Sequence, residues 1–507
     1  MYLDQIKNIY IIGIEGAGTS ALACILKVQG KNVAGSDEGD HFYYDVLRKK
    51  GIQVFHKFDE KNLKTPQNFR SSNFDPLYAE GENNIDLVIY STSVQPETNP
   101  ELKYAMEATE QHFKIMSYPQ ALGMVFNQAE FGIAVCGTHG KTTTTAMLAT
   151  AMDKAGVENL IALVGSKVLE WGGNTLTGNK NEECKGSTFA DLQRSSLCKQ
   201  SFNNDYFVIE ADEYQNKLQY YNPRAVILTS ADYDHPDFFK DEEEYKQVFK
   251  DFVARIPEDG FLVAYAGDKN VVEIAQSAKC EVIFYDEVGA KEVLLDDSFC
   301  ADDSCYGKTF GCCPAIRQAK EKMQLFGKHN LLNAMGAFKV CQKLGLNEQK
   351  VQQALQNFRG TARRFEFKGE YNKAIIVDDY AHHPVEVQAT LQATKNRYPD
   401  KNIKCIFHPH TFTRTEALLK EFSQSFVDAD EIYLLDIFGS AREKQGGVSS
   451  DDLIDLIKKQ NSNKTIKNLH TISEAIKYFR QNLQPNDLLI TMGAGDVYLV
   501  GEKLIDK

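Results

Sequence analysis

The 507-residue chain has no apolar run approaching the ~18–20 residues that a membrane-spanning helix requires. It has no basic surplus either. A formal net charge of -13 argues against a nucleic-acid partner, which needs a positive face, and against docking on an anionic bilayer. Small anionic ligands remain open, because they need only local positive groups. The opening segment MYLDQIKNIYIIGIEG lacks the basic, apolar and cleavage regions of a signal peptide in order, so a cytoplasmic location is expected. Cys-x-x-Cys pairs are missing. The eleven cysteines are mostly scattered, and Cys24, Cys136, Cys341 and Cys405 fall in apolar segments, where free buried thiols are expected. Cys300, Cys305, Cys312 and Cys313 cluster, but adjacent cysteines rarely chelate one ion together, so a surface hairpin is favoured over a zinc site.

At roughly 100–200 residues per domain, this length predicts two to four domains. Short apolar runs alternate with longer helical patterns, which reads as α/β. Three stretches separate. The first, 1–121, begins with NIYIIGI and the turn EGAG, then a helix near Thr19–Gly30 and the strand NVAGSD. The second, 122–359, opens on FGIAVCGTHGKTTTTAMLATAMDKAG and contains DYFVIEAD, AVILTSAD and FLVAYAG. The third, 360–507, holds AIIVDDYAHHP, NIKCIFHPH, EIYLLDIFG and DLLITMGAGD. Each strand ends in polar or glycine residues, where open α/β sheets bind ligands. Residues 177–204 and 61–84 are polar and aperiodic and read as loops or insertions.

The sharpest local signal is Gly137-Thr138-His139-Gly140-Lys141-Thr142, between the strand GIAVC and the helix that begins TTTT. Glycines let backbone N–H groups approach phosphate oxygens, and the helix N-terminus adds partial positive charge. Lys141 is placed to reach β/γ-phosphates, and the Thr142 hydroxyl to bind Mg2+. Val135 stands where the full G-x-x-x-x-G-K-[ST] pattern has its first glycine, so the loop is a shortened version. Glu210-Ala211-Asp212-Glu213 and Asp232-Tyr233-Asp234-His235 follow neighbouring strands and offer the oxygen-rich ligands that magnesium prefers. Glu210, directly after apolar FVI, is the least consistent with an exposed charge. A solvated loop face is an equal alternative for Asp212 and Glu213.

The segments GTHGKTTTT, EADEY, DYDHPDFF, GKHNLLNA, ARRFEFKGE, DDYAHHP, FHPHTFTRT, LLDIFGSAREKQGGVSS and TMGAGD occur in the order found in the Mur ligases, and from about Ile11 to Val500 the chain resembles that family. The resemblance implies a Rossmann-like N-terminal domain that binds a UDP-sugar. A central P-loop ATPase domain follows, then a Rossmann-like C-terminal domain that completes the ATP site and binds an amino acid. Within the family the motifs are similar to those of a member that joins L-alanine to UDP-N-acetylmuramate with ATP and Mg2+, as a monomer or homodimer. The same resemblance implies the following roles. Gly137, Thr138, His139, Gly140, Lys141, Thr142 and Thr143 would hold the nucleotide phosphates. Glu210 and His235 would join Thr142 at the metal. Asn330 and Asn333 would lie near adenine, and Arg364 and Asp379 would reach ATP from the third domain. Gly18, Ser36 and Asp37 would meet the UDP-sugar, and His410 and Arg414 the alanine. Lys141, Arg364 and His410 are the expected catalytic groups.

Three departures stand out. The first glycine turn reads Gly13-Ile14-Glu15-Gly16-Ala17-Gly18, which fails the strict dinucleotide fingerprint although Asp37 lies where a ribose-binding acid would fall. Glu15 replaces the family's usual glycine, and a carboxylate beside a diphosphate is unfavourable, so it is expected to point to solvent or to mark a different binding mode. Thr411 stands where many relatives carry arginine, which shifts more of the alanine-carboxylate load to Arg414. Paired His382-His383 read equally as packed or as catalytic. The competing readings are a ligase for a murein tripeptide, a P-loop ATPase without ligase activity, and a dehydrogenase using the first domain.

Overall fold

The computed structural model describes residues 3–38, 43–64, 85–107, 113–178, 205–236, 238–294, 327–439, 446–460 and 463–506. The cysteine cluster at 300–313, most of the two polar insertions, and residues 440–445, which include the start of the AREKQGGVSS loop, lie outside them.

Three sheets organise the chain. The first has the order β3-β2-β1-β4-β5, from β1 (Asn8–Ile12), β2 (Asn32–Ser36), β3 (Gln53–Phe55), β4 (Leu87–Tyr90) and β5 (Lys114–Ser117), all parallel. β1 is apolar almost throughout because parallel strands are covered on both faces. Strand order reverses at β1, so the turn after it, at Gly13 with φ 75°, sits at a topological switch point. The helix Ala17–Val28 follows. The helix Tyr118–Phe126, which runs through residue 121, leads from this sheet towards the next; its Ser117 and Gln120 form a capping box.

The second sheet has the order β12-β11-β10-β6-β9-β7-β8. Its strands are β6 (Phe131–Cys136), β7 (Leu160–Val168), β8 (Gly173–Thr177), β9 (Tyr206–Glu210), β10 (Ala225–Leu228), β11 (Phe261–Tyr265) and β12 (Glu281–Tyr285), parallel except for the β7–β8 hairpin. β6 is central, flanked by β9 and β10, and runs into the glycine loop and the helix Lys141–Ala155. That helix packs with Lys328–Lys343 and Glu348–Gln356 over one face in a continuous apolar core.

The third sheet has the order β13-β14-β18-β15-β16-β17, from β13 (Glu366–Tyr371), β14 (Ala374–Asp379), β15 (Asn402–Phe407), β16 (Glu431–Leu434), β17 (Thr465–Asn468) and β18 (Asp487–Met492). Only the β13–β14 pair is antiparallel. The connection from the second sheet runs beside the end of β7: Ala362 N–H donates to Lys167 O at 2.8 Å, and Arg359 N–H to Glu170 Oε1 at 2.9 Å. The chain's one tryptophan, Trp171, lies in the hairpin turn there and donates its indole N–H to Thr150 Oγ1, on the helix Lys141–Ala155, at 3.1 Å. Cys24, Cys136, Cys341 and Cys405 are free and buried. Among the described residues no helix is long and apolar enough to cross a membrane.

Candidate active site

The glycine loop needs its glycines for space as well as for phosphate access. Gly137 has φ 129°, and a Cβ there would fall 2.4 Å from Thr229 Oγ1 and 2.7 Å from Ser230 O. Gly140 has φ 81°, and its Cβ would lie 2.4 Å from Asn333 Oδ1. The end of β10 holds the loop. Thr138 N–H donates to Ser230 O at 3.1 Å, His139 N–H to Ser230 Oγ at 2.9 Å, and the Thr229 hydroxyl to His139 O at 2.5 Å. Thr142 and Thr143 enter the first turn of the helix Lys141–Ala155.

Lys141 folds back over this loop. Its Nζ donates to Gly137 O at 2.6 Å, Thr138 O at 3.0 Å and Glu213 Oε2 at 3.0 Å. Burial opposes the ammonium charge, but Glu213 and Asp212 outweigh it and raise the Lys141 pKa, so the side chain stays cationic. Glu213 is fully buried and also accepts from Tyr245 Oη at 3.1 Å, which removes the solvated-face alternative for it; the Asp212 side chain is 42% exposed. The Thr142 hydroxyl donates to Glu210 Oε1 at 2.6 Å, and Gly165 N–H to Glu210 Oε2 at 2.6 Å. Ligand atoms of Asp212, Glu213 and His235 all lie within 4.8 Å of one another. Carboxylates and a hydroxyl dominate this neighbourhood, so its donor chemistry fits a magnesium ion.

The opposite wall comes from the third domain. Arg364 lies 5.2 Å from the Tyr380 ring centre and 3.9 Å from Glu386 Oε1. Glu386, in the first turn of the helix Pro384–Arg397, reaches His139 Nδ1 at 3.1 Å and accepts from His382 N–H at 3.1 Å. Burial works against the Glu386 charge, yet the cationic His139 and Arg364 hold its carboxyl well below the usual range. Burial pushes His382 down to about 3 and His383 to about 4, so both are neutral imidazoles near pH 7. For His139, burial lowers the pKa, but the Glu386 hydrogen bond and charge outweigh it, and the net shift is upward. Asp379 accepts from Phe365 N–H and Ala381 N–H, both at 2.7 Å, and is raised to about 6 by burial despite Arg364.

Thr138, His139, Gly140, Lys141, Thr142, Glu210, His235 and Arg364 therefore converge on one cavity of about 580 Å³, bordered by all three domains through Ala17 and Tyr43, the glycine loop, and Arg363, Tyr380 and Glu386. That volume is in the range of small-molecule sites. Gly137, Thr143 and Asp379 are not among the residues that line it. Asn333 packs against Gly140, with Asn330 3.5 Å away in the preceding helical turn.

The remaining expected residues lie elsewhere. Gly18 is backed by the Tyr118 ring, 2.5 Å from where a Cβ would stand. Ser36 is fully buried and donates to Glu101, so its hydroxyl is already engaged. Asp37 Oδ2 accepts Glu15 N–H at 2.8 Å and thereby fixes the glycine turn. The solvent-pointing expectation for Glu15 is corrected: its side chain is fully buried, with Oε1 4.0 Å from His56 Nδ1. His410 stacks on Phe438 at 5.5 Å with a 13° interplanar angle. Arg414 is buried, 3.1 Å from Asp234. Sequence reasoning missed Glu386, Tyr380, Thr229 and Ser230. Glu386 carried one signal, an acid four residues after His382 at a helix start; the others carried none, since their role is set by strand adjacency.

Comparison with known proteins accounts for nearly the whole chain. Residues 8–130 match the Mur ligase family catalytic domain, 135–341 the Mur ligase middle domain, and 363–495 the Mur ligase glutamate ligase domain. A UDP-N-acetylmuramate–L-alanine ligase of Caldanaerobacter subterraneus is 34% identical over 512 residues, covering 100% of this chain and 98% of its own. One from Clostridium beijerinckii is 35% identical over 516 residues, covering 99% and 98%. Among solved structures, the UDP-N-acetylmuramate-alanine ligase of Thermotoga maritima superposes with a TM-score of 0.69 at 21% identity, covering 98% of each chain. The murein peptide ligase of Psychrobacter arcticus gives 0.63 at 22%, also covering 98% of each chain. With matching domains in order, full-length identity of this level and the same three-domain fold, the chain belongs to the Mur ligase family.

Proposed function

We propose that this protein joins L-alanine to the carboxylate of UDP-N-acetylmuramate with ATP, through an acyl phosphate, in peptidoglycan precursor synthesis. The reaction class rests on one observation: a phosphate loop with its lysine and acidic neighbours faces an arginine-bearing wall from another domain across a single cavity. The choice of substrates is supported by the full-length likeness to curated ligases.

A carboxylate is a poor electrophile because its oxygen does not leave. Attack of that oxygen on the γ-phosphorus, with ADP departing, gives an acyl phosphate with a good leaving group. The step needs alignment and charge neutralisation more than covalent help. Lys141 exchanges its loop carbonyls for phosphate oxygens, and Arg364 meets the same charge from the far wall. Thr142, Glu210 and His235 would hold magnesium, with Asp212 and Glu213 beside them; a bound ion supplies further neutralisation of the triphosphate. The backbone of the Gly137–Gly140 turn cradles the phosphates, while Asn330 and Asn333 lie towards the base and Asp379 braces the Arg364 turn. Gly18, Ser36 and Asp37 shape the UDP-sugar end of the first sheet. The amine of alanine then attacks the acyl carbon and releases phosphate, losing a proton. His410 orients that amine, and Arg414 meets the alanine carboxylate.

The test offers L-alanine, glycine, L-serine and a murein tripeptide, each with UDP-N-acetylmuramate and ATP, in a phosphate-release assay. L-Alanine is expected to turn over fastest. Faster turnover with the tripeptide reassigns the acceptor, and phosphate release independent of sugar and amine removes the ligase reading.

A further inference from the structure

Asp234 and Arg414 meet between the second and third sheets. Asp234 follows β10, and Arg414 belongs to the short helix Phe412–Ala417. The guanidinium donates to the Asp234 carboxylate through Nε at 3.3 Å and through Nη2 at 3.1 and 3.4 Å. The two side chains are 7% and 9% exposed. Burial works against the Asp234 charge, but Arg414 outweighs it and holds the carboxyl well below the usual carboxylate range. The turn that delivers Arg414 is strained. Thr411 has φ 69° and ψ 136°, a conformation that β-branched residues avoid. It persists because Thr411 N–H donates to Phe438 O at 2.9 Å and its hydroxyl accepts Arg414 N–H at 3.3 Å.

Taking one partner from a buried ion pair leaves an uncompensated charge and is strongly destabilising. A ligand that carried only a carboxylate would, on capturing Arg414, leave Asp234 with the His235 N–H at 2.7 Å and the His235 ring at 3.8 Å but without its guanidinium. A zwitterion carries a charge for each. Asp234 is also among the residues that line the cavity bordered by the glycine loop.

We propose that Asp234 is a substrate-binding, specificity-determining residue for the amino acid: it neutralises Arg414 while that site is empty and receives the substrate ammonium when Arg414 takes the carboxylate. The inference concerns the binding step and rests on the reading that this chain ligates an α-amino acid.

The experiment compares the full-length protein with Asp234→Asn, using phosphate release with L-alanine as substrate and propionate, which has the carboxylate without the ammonium, as competitor. In Asp234→Asn the alanine KM is expected to rise about tenfold or more, with the ATP KM within about twofold. Propionate no longer strands a charge, so the ratio of its inhibition constant to the alanine KM is expected to fall about tenfold. Asp234→Glu restores the discrimination. Half-saturating magnesium is followed in parallel, because Asp234 adjoins His235, and is expected to stay within about twofold. An unchanged alanine KM, equal weakening of alanine and propionate, or a parallel loss of magnesium affinity overturns the proposal. Should Asp234→Asn fail to fold, the unaltered protein decides: propionate competing at least about tenfold more weakly than alanine supports the proposal, and comparable competition overturns it. Absence of alanine turnover by the unaltered protein would remove the alanine-acceptor reading on which the inference rests, a separate failure.

Discussion

At the scale of single residues, charge is compensated locally throughout the cavity. Lys141 rests on two loop carbonyls and Glu213, which keeps a cation at the phosphate site before any nucleotide arrives. Lys141→Ala is expected to abolish acyl-phosphate formation while UDP-sugar binding survives; trapping of the acyl phosphate and equilibrium binding of the nucleotide sugar measure the two separately, and near-normal turnover would refute the role. The histidines make a different prediction. Burial, with His139 adding to it, holds His383 neutral with a pKa lowered to about 4. Below the ordinary value of ~6.5 the unfolded chain takes up a proton that the folded site refuses. Stability from this group is therefore complete above about pH 6.5 and is lost as pH falls towards 4, by up to about 3 kcal/mol for a residue only 6% exposed. His139 and Asp379, both raised, act in the opposite sense over part of that range. In His383→Asn, which keeps a helix-capping side chain, thermal unfolding is expected to depend less steeply on pH between 6.5 and 4. An unchanged slope would remove the assignment.

At the scale of elements, the strand–turn–helix of β6, the glycine loop and the helix Lys141–Ala155 is the unit on which the site is built. Gly140→Ala introduces a Cβ at φ 81°, 2.4 Å from Asn333 Oδ1. A loss of about 1–3 kcal/mol in stability and a rise in ATP KM are expected, read by chemical denaturation and steady-state kinetics; wild-type values for both would show that the loop tolerates a side chain. This element was legible in the sequence because its chemistry is local: glycine, lysine and threonine at fixed spacing between an apolar run and a helical pattern. β9, which ends on Glu210, and β10, which precedes the loop of His235, were legible for the same reason. The loop's support by Thr229 and Ser230 was hidden, since it depends on β10 lying beside β6, a pairing that the alternation of strands and helices leaves open. The engagement of the Ser36 hydroxyl by Glu101 was hidden too, because a small polar residue at a strand end looks alike whether it faces solvent or a buried partner.

At the scale of the molecule, three sheets bring residues far apart in the chain onto one cavity, and Glu386 ties the third domain to the second through His139, 247 positions away. Glu386→Gln is expected to weaken that tie, speeding hydrogen exchange at the glycine loop and at the start of the helix Pro384–Arg397 while the interior of β15 stays protected. Unchanged exchange at both sites would show that the domains are held by other contacts. Trp171 sits where the last connection leaves the second sheet, its indole bonded to the helix that begins at Lys141. With a single indole in the chain, ultraviolet emission at long wavelength comes from one known place. A rapid-mixing fluorescence trace with unlabelled protein would thus follow events beside this connection directly, free of contributions from any second fluorophore of that kind.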